Sequence, residues 1–370
     1  MAYHVMTRIG PQQYVSEQGA YGYLIDFLKS CSATRVLFLH GTKSLKKALR
    51  YLPRVNELDI DVVDRTFSGE CSYQEVDRVA QDAKEKHVDV IIGLGGGKVL
   101  DTAKAAAFQT GGVPFVLMPT MASNCAAWSA LSVFYKEDGR CVGHRIFPNQ
   151  SNLVLLEPRV ILDSPYDYFV AGIADTLAKW YESESLLRQV EQNHLSIKYA
   201  RASATMCRDV PLKHGVQAVR DMKKGILSDA WQLVMETNIM AGGLVGGLAD
   251  QYGRATAAHS VHDALTVFPE TVHLLHGAKV AYGIMVQLAL ERKWEEIRRL
   301  IPFYSALELP ANLHALRLGR RSKQDICRLA EQAVTKDKTI HLLPFTVTAD
   351  SVYEAIIRLE ALTAETSQNE

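Results

Sequence analysis

The 370-residue chain balances 41 Lys+Arg against 41 Asp+Glu, so it lacks the overall cationic field that holds proteins to nucleic acid or anionic membrane. At 48% hydrophobic and 22% charged residues it has the composition of a chain folded throughout, and its length favours two packed domains over one. No apolar run is long enough to span a bilayer, and the start, MAYHVMTRIG, lacks a signal-peptide pattern. Six scattered cysteines without a CxxC pair fit reduced thiols, so a cytoplasmic location is expected.

In chain order, residues 35–39 (RVLFL), 58–63 and 88–92 (VDVII) read as strands. Between them, Val76, Val79, Ala80 and Ala83 recur on one face of a helix over 73–86. A parallel, helix-covered sheet follows. Residues 115–118 (FVLM) add a buried strand stopped at Pro119, and ALSVFY with CVGHRI around Asp138-Gly139 predicts a β-hairpin. After about Ala171 strand signals fade, and helical patterns over 229–246 and 278–298 dominate. The expected organisation is an α/β domain over 1–165 and a helical domain over 166–370. The basic run RLGRRSK at 317–323 reads as a solvated helix face or turn.

Gly93, Gly95, Gly96, Gly97 and Lys98 stand between an apolar strand and an alanine-rich helix, where backbone amides can cradle a diphosphate. Neither GxGxxG nor GxxxxGK[ST] is satisfied. Three successive glycines and a lysine nevertheless exceed what a packing turn requires.

Four of the twelve histidines, His259, His262, His273 and His276, fall within eighteen residues as two i, i+3 pairs. Each pair would share a helix face, and Pro269 between them can break the chain so that one histidine from each helix converges on a metal. Spacing alone leaves the choice among the four open. Asp175, in the otherwise apolar stretch VAGIADTLAKW, is the candidate carboxylate, because a buried Asp requires a cation or hydrogen-bond donors. The alternative is an exposed Asp175 paired with Lys179.

GGGKxxDxxK over 95–104 resembles the glycerol-dehydrogenase branch of the iron-type, or group III, alcohol dehydrogenases, as do FSGECS (67–72), PTMASN (119–124), AGIADTLAKWYE (171–182) and AAHSVHDALTVFPETVHLLHGAKVAYG (257–283). The resemblance implies the fold shared by dehydroquinate-synthase-like proteins and iron-type alcohol dehydrogenases, and a homo-oligomer. It implies NAD or NADP contacts at Thr42, Gly95, Gly96, Gly97, Lys98, Asp101, Thr120, Ser123, Ser129, Leu131 and Tyr135. Its metal ligands are Asp175, His259 and His276. Members using NAD carry an Asp where this chain has Thr42 beside Lys43, which removes repulsion toward a ribose 2′-phosphate and predicts that NADP(H) is accepted. Thr42 and Lys43 as a plain solvated turn is the alternative.

Iron-using members commonly add a ligand histidine where Lys179 stands here. Three protein ligands with an open position suit Zn2+ better than Fe2+. The acid that touches the polyol in glycerol-using members is replaced by Cys125, and Trp128 in the same loop is expected to narrow the pocket. SNCAAWSALSVFY with AGIADTLAKWYE looks like the bacterial hydroxycarboxylate dehydrogenase subgroup. That implies a small-molecule 2-oxo acid or 2-hydroxy acid whose carboxylate meets Lys179 near His259. Other readings are a polyol dehydrogenase, a dehydroquinate-synthase-like cyclase, and a nucleotide sensor. The intact metal triad argues against the last.

Overall fold

The computed structural model describes residues 5–54, 59–190 and 194–368. Its strands are β1 (Gln13–Ser16), β2 (Arg35–His40), β3 (Asp61–Thr66), β4 (Val90–Gly95), β5 (Phe115–Pro119), β6 (Leu131–Tyr135), β7 (Cys141–Ile146) and β8 (Leu153–Leu156). Six form one parallel sheet in the order β3-β2-β4-β5-β8-β1, while β6 and β7 pair as a separate antiparallel hairpin. The strand expected from residue 58 begins at Asp61, because its register is set by Arg35 opposite Asp61; residues 55–58 lie outside those described. Pro119 closes β5 rather than standing beyond it, and the strand expected over 88–92 runs to Gly95.

Helices α1 (Tyr23–Ser30), α2 (Thr42–Ala48), α3 (Tyr73–Glu85) and α4 (Gly97–Gln109) cover this sheet. The side-chain period of two along each strand separates two cores. Leu37, Leu39, Ile91, Leu117 and Val154 join the core that includes Val79, Ala83, Leu100 and Ala103 of α3 and α4. Val36, Val90, Ile92, Val116 and Leu155 join the core that includes Leu24 and Leu28 of α1. From β2 the chain steps to β3 on one side, and from β4 to β5 on the other. The β2 and β4 ends are therefore a topological switch point, where doubly wound sheets bind ligands.

The remaining chain is helical: α5 (Pro158–Leu162), α6 (Tyr166–Leu187), α7 (Leu195–Lys223), α8 (Asp229–Glu236), α9 (Gly242–Ala249), α10 (Ala257–Leu265), α11 (His276–Leu290), α12 (Trp294–Ala306), α13 (Lys323–Ala333) and α14 (Ala349–Gln368). The periodic stretch over 229–246 is interrupted by a π turn, Thr237–Ala241. The stretch over 278–298 is not one helix, since α11 stops at Leu290 and Arg292 takes φ 56° before α12. Lys293 N–H donates to the Leu288 carbonyl across that left-handed residue, a helix stop that an unbroken apolar pattern conceals. Among the described residues, no helix is long and apolar enough to cross a membrane.

The two parts meet through backbone. A Cβ on Gly172 of α6 would lie 1.9 Å from the Ala122 carbonyl oxygen, so only glycine lets α6 rest on the loop after β5. From the π turn, buried Asn238 donates to that same carbonyl at 3.1 Å and accepts from Thr176 Oγ1 at 2.9 Å. The N-terminal segment crosses to the helices as well, with Arg8 N–H donating to the Gly247 carbonyl at 2.7 Å.

Candidate active site

At the switch point, Gly96 is the N-cap of α4 and Gly97 its first residue. Cβ atoms here would lie 2.6 Å from Val99 Cγ2 (Gly95), 3.1 Å from Met121 Sδ (Gly96) and 2.7 Å from Asn124 Nδ2 (Gly97). The glycines thus bring the loop close to 119–124 and leave helix-terminal amides open to an anion. Lys98 stands at this terminus, its ammonium 2.5 Å from Glu70 Oε1 and 4.9 Å from the Tyr135 ring centroid. Thr120 Oγ1 lies 3.1 Å from Ser44 Oγ in α2, and Ser123 is half-buried beside Asn124. Thr42 and Lys43 are exposed in the first turn of α2, just past β2. They open a helix rather than forming a turn.

Asp101 faces away from this group. Its buried carboxylate pairs with Lys104 at 2.8 Å and accepts from Val133 N–H at 3.0 Å. Lys104 also donates to the carbonyls of Ala126, Ser129 and Leu131. Both side chains are satisfied internally, so Asp101 reaches a nucleotide only by holding the hairpin, and Ser129 and Leu131 offer their carbonyls to Lys104.

Asp175, His259 and His276 come together from α6, α10 and the first residue of α11. Each can offer one ligand atom, all within 4.8 Å of one another, and both imidazole Nε2 atoms lie 3.3 Å from Asp175 Oδ1. The chain break expected at Pro269 is there, as a 3-10 turn over Pro269–Thr271. His273 is a departure. It is exposed and precedes α11, which starts at His276, so the pair 273/276 shares no helix face.

The outer nitrogens fix the tautomers. Glu182 Oε2 lies 2.6 Å from His259 Nδ1, while Glu182 Oε1 accepts the N–H groups of Thr256 and His259. An ionised carboxylate only accepts, so Nδ1 carries a hydrogen and donates to Glu182; burial opposes a charged ring, but Glu182 and Asp175 raise the His259 pKa to about 9, so a cation bound at Nε2 would take the place of the proton that faces Asp175. His262 Nδ1 lies 3.0 Å from Asp263 Oδ1, and Asp263 Oδ2 accepts from Lys338 at 2.7 Å. His262 Nε2 is then left to accept from His276 Nδ1 at 2.9 Å, which frees His276 Nε2 toward Asp175. Burial, with repulsion from His276, drives the His262 pKa down to about 3 and keeps that ring neutral.

Two imidazole Nε2 atoms and a carboxylate oxygen thus face one point, and Asp175 Oδ1 is buried without a hydrogen-bond partner. Two nitrogens and one oxygen with outer-sphere carboxylates are a donor set that a divalent cation such as zinc fits. Burial opposes the Asp175 anion, but Lys179 and the two histidines outweigh it and hold the carboxyl well below its usual range.

Lys179, one turn from Asp175 on α6, is 9% exposed, and its ammonium makes no hydrogen bond or ion pair among the described residues. Burial disfavours its charge, yet Asp175 keeps its pKa raised, so it stays an ammonium. The alternative of an exposed Asp175–Lys179 pair is therefore not what forms; both residues are buried. Cys125 and Lys179 share a wall, since a Cβ on Gly242 would meet Cys125 Cβ at 3.5 Å and Lys179 Cγ at 3.9 Å. Burial pushes the Cys125 thiol up. Trp128 is packed rather than open: its indole N–H donates to the Ile9 carbonyl at 2.7 Å, and its ring crosses Tyr14 at 5.1 Å.

Glu182 and Gln287 carry no role in the sequence reading, yet they join the three metal-site helices. Buried Gln287 accepts from Ala258 N–H and donates to the Tyr181 carbonyl. Asp175, Lys179 and Glu182 stand at i, i+4 and i+7, one helix face, and that spacing was the available signal.

Residues 11–158 match the family described as iron-containing alcohol dehydrogenase. Hydroxycarboxylate dehydrogenase A of Escherichia coli K12 is 37% identical over 356 residues, covering 96% of this chain and 98% of that protein. Glycerol dehydrogenase of Thermotoga maritima is 36% identical over 301 residues, 80% of this chain and 81% of that protein. The crystal structure of glycerol dehydrogenase from Schizosaccharomyces pombe superposes with a TM-score of 0.89 at 27% identity, covering 100% of this chain and 93% of that one. The chain belongs to the iron-containing alcohol dehydrogenase family and is an NAD(P)-dependent alcohol oxidoreductase.

Proposed function

We propose that this enzyme interconverts a 2-hydroxy acid and a 2-oxo acid. The carrying observation is the Lys179 ammonium, nine-tenths buried one turn from Asp175 with no partner among the described residues. A buried cation of this kind asks for an anion, and a carboxylate one bond from the reacting carbonyl brings one. Cys125 beside it offers a polyol no acid. The 37% identity to a hydroxycarboxylate dehydrogenase points the same way.

In this reading residues 1–165 hold the dinucleotide and 166–370 the metal. Asp175, His259 and His276 hold the cation, zinc being our assignment, and the Gly95–Lys98 loop holds the diphosphate. When bound, the metal supplies Lewis acidity toward the carbonyl oxygen and the nicotinamide the hydride. Lys179 fixes the substrate carboxylate and so presents one carbonyl face. Glu182 and His262 hold the two imidazoles in the ligating tautomer. Thr42 and Lys43, with no acid at the end of β2, admit NADP(H) as well as NAD(H).

The test is oxidation of NADPH and NADH by zinc-loaded protein with 2-oxobutyrate, 2-oxoglutarate and dihydroxyacetone, repeated on Lys179→Ala. We expect the oxo acids to turn over, and kcat/KM to fall about 10- to 100-fold in the variant, as for one charged hydrogen bond. Preferred turnover of dihydroxyacetone, indifferent to Lys179, returns the enzyme to the polyol dehydrogenases. A nucleotide that cycles without net oxidation identifies a cyclase.

A further inference from the structure

The two metal-site imidazoles are held unequally. His259 meets a carboxylate directly, and that carboxylate, Glu182, is itself fixed by the Thr256 and His259 N–H groups. His276 meets only another imidazole, His262, at 2.9 Å, the rings edge to face with centroids 4.2 Å apart. Its side chain is also the more exposed of the two, 37% against 19%, and it stands at the first position of α11, with no earlier turn of that helix behind it.

The support of His276 therefore runs through further side chains. His262 accepts from His276 Nδ1 only while its own hydrogen sits on Nδ1, and a neutral imidazole does not enforce that tautomer by itself. Asp263 enforces it, with Oδ1 at 3.0 Å from His262 Nδ1. The Asp263 side chain is partly exposed, so water competes for its oxygens, and Lys338 Nζ holds Oδ2 at 2.7 Å. Burial opposes the Asp263 anion, but His262 and Lys338 outweigh it and hold the carboxyl well below its usual range.

Lys338 comes from outside the helices that carry the ligands, in the segment that follows α13. Its neighbours tie that segment to the start of α10: Thr339 Oγ1 donates to the Thr256 carbonyl at 2.9 Å, and Ile340 N–H donates to Ser260 Oγ at 3.0 Å. The ammonium thus reaches Asp263 from a backbone docked beside His259.

We propose that Lys338, acting through Asp263 and His262, is a positioning residue for His276, and that its ammonium rather than the docking of its segment does this. The chain from Lys338 to His276 sets which nitrogen of His276 faces Asp175. Without the ammonium, Asp263 turns to water and His262 takes its other tautomer, whose Nε2–H opposes His276 Nδ1–H. His276 then rotates or moves its hydrogen to Nε2, and either change removes a lone pair from the point it shares with His259. The proposal rests on Asp175, His259 and His276 as metal ligands and is independent of the substrate.

The experiment is competition with a chelator for Zn2+, together with the visible absorption spectrum of Co2+-loaded protein, on wild type, Lys338→Met, Lys338→Arg and Thr339→Val. Lys338→Met should weaken zinc binding about tenfold or more, as for other outer partners of a ligating histidine, and should change the cobalt bands. Lys338→Arg, which still donates to Asp263, should restore both. Thr339→Val, which loosens the segment and keeps the ammonium, should bind zinc as wild type does. Unchanged zinc affinity and cobalt bands in Lys338→Met overturn the proposal. A loss in Thr339→Val as large as in Lys338→Met also overturns it, in favour of segment docking, and so does a failure of Lys338→Arg to rescue. A wild type that takes up neither metal overturns the ligand assignment as well, which separates that failure from the others. If Lys338→Met fails to fold, Lys338→Gln takes its place with the same criteria.

Discussion

Glu182 Oε2 stands 2.6 Å from His259 Nδ1, and its other oxygen accepts the Thr256 and His259 N–H groups. One side chain of α6 therefore orients a metal-site imidazole and satisfies the first turn of α10, so metal affinity and helix stability depend on one carboxylate. Glu182→Ala should lower zinc affinity about 10- to 100-fold, read by competition with a chelator. Glu182→Gln, which can still accept from Nδ1, should lose less. Equal zinc affinity in wild type and Glu182→Ala would show that His259 is positioned without it.

The pair Lys104–Asp101 is buried on both sides and is the hub of the 126–131 loop. Removing one partner leaves a buried charge unbalanced, so Lys104→Met should cost about 3–5 kcal/mol in chemical denaturation. Ser129 and Leu131 lose their carbonyl partner with it, and dinucleotide binding should weaken alongside stability. A variant with full stability and weakened nucleotide binding would instead place Lys104 in direct contact with the ligand.

Sequence and structure agree where the signal is periodic or compositional. The four apolar positions of α3 are all buried, and the hairpin forms around Asp138-Gly139. The glycine loop joins strand to helix as read. Disagreements arise where a contact distant in sequence overrides the pattern, or where a helix starts elsewhere than the spacing suggests. The π turn at Asn238 looks like ordinary helix in sequence, because what it satisfies, Ala122 and Thr176, lies 116 and 62 residues away. The resemblance implies a nucleotide contact at Asp101, whereas its carboxylate is bonded to Val133, on a strand that spacing cannot place. His273 looked equivalent to His259 because i, i+3 spacing carries no information about where a helix starts.

Thr42 and Lys43 open α2 in exposed positions directly past β2. An acid there would accept a ribose 2′-hydroxyl and repel a 2′-phosphate. Thr42→Asp should therefore raise the Kd for NADPH about tenfold or more relative to NADH, each measured by fluorescence titration. Lys43→Ala should weaken NADPH alone. If neither ratio moves, the adenosine ribose lies away from the β2 end.

The Glu157 carboxylate, fully buried after β8, accepts from the Gly19 N–H at 2.7 Å and pairs with Arg159 at 2.7 Å. Burial alone would raise its pKa, but Arg159 and the N–H donors overcome it and lower the value from 4.5. A carboxyl depressed in the folded state adds stability above its unfolded pKa and surrenders it as pH falls through the folded one. Glu157→Gln should thus be less stable than wild type at pH 7, by about 1–3 kcal/mol. The gap should narrow as pH drops below about 4.5, because protonation removes the same charge from wild type. Urea denaturation of both proteins at pH 7, 5 and 3.5 measures it, and a gap that stays constant across that range would mean that the carboxylate charge contributes nothing to the fold.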